Sequence, residues 1–195
     1  MASSPKMRFI LTEEEWVMDA LNPAEWNFVQ VLPDTAAGKK GPEHLRERLT
    51  PSPLSEDSLA GVDTLELSED WREFIVPDLE EGFREARSLV QRDLDQVEVL
   101  PLSEWIDDGE EDFDPELPQE LRRVRVLLEH TDAWYSVLNE ARLLLNEQHG
   151  IAGMADRLGE ETVPETLPDG LLLLLAQYEL YSVVQSILVE NVMQP

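Results

Sequence analysis

The chain has 195 residues, 42 of them acidic against 15 Lys and Arg, and a formal net charge of −27. Such a charge repels phosphate and anionic lipid, so it argues against direct nucleic-acid binding and membrane-surface binding and favours a protein partner with a basic surface. Apolar residues at 42% with five Trp exclude a wholly disordered chain, and the absence of Cys excludes disulfides, thiol catalysis and Cys-type metal sites.

Met7 to Leu11 reads as a short strand. Thr12 with Glu15 has the spacing of a capping box and predicts a helix carrying Trp16. Asn22, Pro23 and Glu25 form a second such box, and Trp26, Val29 and Leu32 share the inner face of the helix it opens. Residues 33–64 are rich in Pro and Gly and read as a wrapping loop, with only Glu43 to Leu49 suited to a helix. Ser68 is placed as the cap of a short helix bearing Trp71, Phe74 and Ile75, which Pro77 interrupts. Asp78 with Glu81 then opens an amphipathic helix whose stripe is Leu79, Phe83, Ala86, Val90, Leu94 and Val97, with Glu80 and Arg84 paired on its outer side.

The stretch from Trp105 to Pro118 contains carboxylates at Asp107, Asp108, Glu110, Glu111, Asp112, Asp114 and Glu116 and no base. Read as a calcium loop from Asp112, it needs Gly at position six and Glu at position twelve, where Leu117 and Arg123 stand, so an EF-hand is excluded. A solvated acidic linker is the ordinary reading of such a block. Trp105 and Phe113 give it a second reading, a docking strip for a basic partner made of Trp105, Asp107, Asp108, Glu110, Glu111, Asp112, Phe113 and Asp114.

Residues 121–129 fit either a helix or a strand. The alternation of Val124, Arg125 and Val126, and a shared plan between residues 7–17 and 124–135, favour a strand that pairs with the N-terminal one. Thr131 or Asp132 caps the next helix, with Trp134, Val137, Leu138, Ala141, Leu144 and Leu145 inward and Gly150 as its C-terminal cap. Leu143 projects to the polar side, where it covers a second layer or meets a partner. Arg142, at the edge of the buried face, is expected in an ion pair. Residues 150–168 read as loop.

The final helix, from Asp169, is apolar nearly all round. Its polar edge is the narrow line Glu179, Ser182, Ser186 and Glu190. So thin an edge predicts a helix covered on most sides, either at the centre of the fold or in the seam of a homodimer. The expected architecture is therefore mainly α: a single compact helical domain over 1–195 around a buried C-terminal helix, with at most a small two-stranded β element and loop-rich segments at 33–64, 102–118 and 150–168. The apolar run from Leu171 to Ala176 is too short to span a bilayer and the N-terminus lacks a signal-peptide core, so the expected location is cytoplasmic.

Catalytic patterns are weak. His44, His130 and His149 lie far apart, no G-x-S-x-G occurs, and Ala36 to Gly41 lacks the spacing of a phosphate loop. No catalytic, cofactor or metal residue is assigned. The leading expectation is a non-enzymatic, adaptor-like interaction protein. The alternatives are an acidic mimic of nucleic acid and a carboxylate- or metal-dependent enzyme.

Ala133-Trp134, Leu138-Asn139-Glu140, Arg142-Leu143, Leu145 and Gly150-Ile151 resemble the signature helix of an uncharacterised bacterial family commonly encoded next to the adaptor ClpS. The similarity extends over residues 31–36, 71–87 and 182–192, while 102–120 and the Pro-rich segment depart from it. The resemblance implies a largely helical cytoplasmic protein, associated by gene neighbourhood with regulated proteolysis, and carries no catalytic residues.

Overall fold

A β-hairpin opens the fold. The computed structural model describes residues 6–39, 48–51, 64–101, 120–158 and 168–193. Strand β1 (Arg8–Leu11) turns back into β2 (Glu15–Leu21), with Leu11 opposite Trp16. Thr12 was expected to cap a helix; it caps this turn instead. Its hydroxyl accepts from the N–H groups of Glu14 at 3.3 Å and Glu15 at 3.1 Å and donates to the Glu15 carbonyl at 3.0 Å. A Thr-x-x-Glu spacing satisfies free N–H groups in either context, and pairing on both edges, with β1 and β4, decides for a strand buried from Trp16 to Leu21.

The sheet is four-stranded and antiparallel, in the order β1-β2-β4-β3, with β3 at Glu98–Pro101 and β4 at Glu120–Leu127. It is larger than the two-stranded element expected. The strand reading of 121–127 holds, but β4 pairs with β2, the segment expected to be helical, and with β3 rather than with β1. The β2–β4 register shifts between Met18 and Leu21, where Ala20 takes φ 60° while fully buried.

Helix α1 (Pro23–Gln30) starts as its sequence dictates. Asn22 Oδ1 accepts from Ala24 and Glu25 at 2.9 and 3.0 Å, and the Glu25 carboxylate accepts from the Asn22 N–H at 2.8 Å. Partial burial raises the Glu25 pKa, and the backbone bond opposes that rise. A short α2 (Leu32–Ala36) follows, so Pro33 opens a helix here where a loop was expected. Further on, α3 (Thr64–Asp70), a π turn (Trp71–Ile75) and α4 (Val76–Leu94) run without a break. Ser68 is interior to α3, and no side chain caps α4. The π turn, closed by the Val76 N–H on the Trp71 carbonyl, stands directly before Pro77, whose missing N–H interrupts the ordinary helical ladder there. Arg84 pairs with Glu81, three residues back, instead of Glu80.

After a 3₁₀ turn (Leu128–His130), α5 (Thr131–His149) buries Trp134, Val137, Leu138, Ala141, Leu144 and Leu145, the face read from the sequence, and ends at Gly150 with φ 63°. No side chain caps its start; the Thr131 hydroxyl accepts the Trp16 indole N–H at 3.2 Å. Residues 151–158, expected as loop, form helix α6. The last helix, α7 (Asp169–Ile187), passes into a π turn (Leu188–Val192).

The central helix is α5, on which α2, α4 and α7 all pack. That corrects the expected role of the C-terminal helix: α7 lies at the periphery with one face inward. The core joins the sheet to these helices through Trp16, stacked on Phe9 with centroids 5.2 Å apart and edge-on to Trp134 at 5.2 Å.

Candidate functional site

The outer face of α7 is where apolar sequence and solvent exposure disagree. Its inner face carries Leu175, Tyr181, Val184 and Gln185, continued by Leu188 in the π turn, all buried. Tyr181 fastens this face, donating to the Phe28 carbonyl at 2.6 Å and accepting from Gln177 at 2.8 Å. Burial pushes the Tyr181 phenol up to about 12.

Leu173, Ala176, Leu180, Val183 and Ile187 follow one another at spacings of three and four, a repeat that keeps them on one side of a helix. Leu173 is 58% exposed and Val183 46%; Ala176 is exposed, and Leu180 and Ile187 are half-buried. Leu172, at 48%, widens the strip. Glu179, Ser186 and Glu190 run beside it, exposed, and no Lys, Arg or His occurs from Leu158 to Pro195. The result is an apolar ridge with an acidic margin. Asp169–Val192 is also long and apolar enough, by length and composition, to cross a membrane, with a mean hydropathy of 1.5 over its best window and 33% of that window buried in the protein.

Leu143 is 43% exposed on α5, as expected from its neighbours on the helix surface. The acidic strip of Trp105, Asp107, Asp108, Glu110, Glu111, Asp112, Phe113 and Asp114 lies outside the described residues. Arg142 does not take the expected ion pair. Among the described residues it has no carboxylate partner, bonding instead to Gln185 and, at 3.5 Å, to the Tyr178 hydroxyl, with its guanidinium over the Tyr178 ring at 5.2 Å. The reason is position: Arg142 faces α7, whose acidic residues are on the far side.

Three buried carboxylates, Glu140, Asp93 and Asp19, do have partners. Glu140, 2% exposed, accepts from Arg87 on α4 at 2.5 Å and from Ser136 at 3.3 Å, and burial lifts its pKa to about 7 against the opposing pull of Arg87. Asp93 accepts the Trp134 indole N–H at 2.8 Å and lies 3.0 Å from His130 Nδ1. On the sheet, Arg123 bonds to Asp19 at 2.7 Å, and Arg125 bonds to Glu98 at 2.7 Å and Glu15 at 2.6 Å. Those bonds raise both arginine pKa values further. Each group is engaged in holding elements together. Among the described residues, no group of three or more His, Asp or Glu side chains could hold a metal ion.

The ridge was partly legible, since the apolar girth of the last helix demanded a cover. What sequence reasoning missed is which side the protein itself covers. The signal lay in the placement of Tyr181 and Gln185, polar groups that seek partners inside.

No curated protein and no solved structure matches this chain. Residues 13–192 match the family described as DUF2017, a domain of unknown function, a span that takes in every helix among the described residues and all of the sheet but β1. The chain belongs to the DUF2017 family.

Proposed function

We propose that this is a non-enzymatic, adaptor-like interaction protein, and that the α7 ridge is its docking face for a basic amphipathic helix of a partner protein. The observation that carries the reading is the three-four repeat from Leu173 to Ile187, exposed at Leu173, Ala176 and Val183, beside Glu179 and Glu190. A helix laid along α7 would bury its own apolar stripe against this repeat, the groove-and-anchor mode of helical recognition. Basic residues flanking that stripe would meet the acidic margin. A second copy of the chain is the less suited occupant, because antiparallel pairing centred on Leu180 sets Glu179 near its own symmetry mate and brings together two chains of charge −27.

The test is fluorescence anisotropy with a labelled amphipathic peptide of Leu and Lys at three-four spacing, beside a scrambled peptide of equal charge, in about 0.15 M salt to screen unspecific attraction. The ordered peptide binds at least about tenfold more tightly than the scrambled one, and Val183→Asp removes the difference. Equal binding of both peptides refutes the reading. So does a concentration-dependent dimer that Val183→Asp dissociates, or insertion of α7 into phosphatidylcholine vesicles.

A further inference from the structure

Acids outnumber bases 42 to 15 in this chain, yet the linings of two hollows on one flank of α4 carry more cations than carboxylates. Two hollows adjoin there and share Arg84. The larger, about 780 Å³, lies along the helix between Arg84 and Arg92, with Ser88 and Glu85 on its walls. The smaller, about 290 Å³, lies half-open between α4, the end of α2 and the turn at 48–50. Lys39, Arg84 and Arg87 line it with Thr50 and Glu80, over an apolar floor that includes Phe83 and Leu49. Together the linings hold four cations and two carboxylates.

On the sheet, the basic side chains are used differently. Arg123 and Arg125 are locked between strands by Asp19, Glu15 and Glu98. On α4, Arg92 is exposed and has no carboxylate partner among the described residues. The pairs Arg84–Glu81 and Lys39–Asp34 are exposed on both sides. Exposed pairs contribute roughly 0–1 kcal/mol, so an incoming anion displaces them at little cost. Arg87 gives one N–H to Glu140 and keeps the rest of its fork. Guanidinium forks, an ammonium and the Thr50 hydroxyl form a donor set matched to anionic oxygens, and Phe83 with Leu49 accepts an apolar body.

We propose that this flank of α4 binds a small organic anion, a carboxylate or phosphate on a short apolar body, independently of the α7 docking face. Phenyl phosphate and benzoate serve as probes in calorimetric titration of the full chain, at constant ionic strength set with sodium chloride. At least one binds saturably, and the tighter of the two tells whether the site prefers phosphate or carboxylate. Arg84→Gln combined with Arg92→Gln weakens that binding at least about fivefold. Both side chains are exposed, so the fold persists, which thermal unfolding checks. Arg72→Gln, an exposed arginine outside the hollows, leaves affinity unchanged. The proposal is overturned if neither probe saturates, or if the double variant binds as the natural chain does.

Discussion

Arg87 on α4 reaches across to Glu140 on α5 at 2.5 Å, over a carboxylate that is almost wholly out of water. This joins two helices through a charge that burial disfavours. Desolvation dominates, so the Glu140 pKa stands at about 7 when folded, against 4.5 for the free side chain. The folded state therefore holds a proton more tightly than the unfolded state, and stability falls as pH rises. The contribution is fully present below about pH 4.5 and is lost by the time pH passes about 7, with a span of up to about 3 kcal/mol. Urea unfolding across that window shows the decline in the natural chain. Glu140→Gln, which cannot ionise, removes most of this slope; an unchanged slope in the variant contradicts the assignment.

Asp93 gathers the Trp134 indole and the His130 ring at the junction of α4, α5 and the turn before α5. Asp93→Ala leaves the buried indole N–H without an acceptor. A loss of about 1–3 kcal/mol is expected in urea unfolding. Trp134→Phe in the Asp93→Ala background costs less than the same change in the natural chain, because the bond has already gone. Additive losses mean that the indole bond contributes nothing.

Pro101 and Glu120 are register partners across the β3–β4 pair. A four-residue turn replacing 102–119 therefore closes the same pair with a shorter connection, and shortening a flexible connection by that much lowers the entropy cost of closure by about 1 kcal/mol. The shortened chain unfolds at equal or higher urea concentration and keeps the ordered peptide of the docking assay. Loss of that peptide with the fold intact returns the docking role to Trp105, Phe113 and the carboxylates around them.

Much of this fold is legible residue by residue. The box at Asn22 and Glu25, the stripe of α4, the buried face of α5 and its end at Gly150 follow from short-range patterns that tertiary contacts leave in place. The failures arise where the deciding contact is distant in sequence. Thr12 and Glu15 serve a hairpin as well as a helix start, and the choice rests on Trp16 meeting Thr131, 115 residues away. The apolar girth of α7 called for cover on most sides, but its placement at the edge of the fold depends on α5 taking the centre. Arg142 was assigned a carboxylate on composition alone, whereas geometry offered it Tyr178 and Gln185.

The most direct measurement is a chemical-shift titration of the nitrogen-15-labelled full chain with the ordered basic peptide. The account predicts that the largest backbone shifts fall on Leu173, Ala176, Leu180, Val183 and Ile187 and on Glu179 between them, with the sheet unmoved. Shifts concentrated in residues 102–119, or spread evenly over the acidic surface, contradict it.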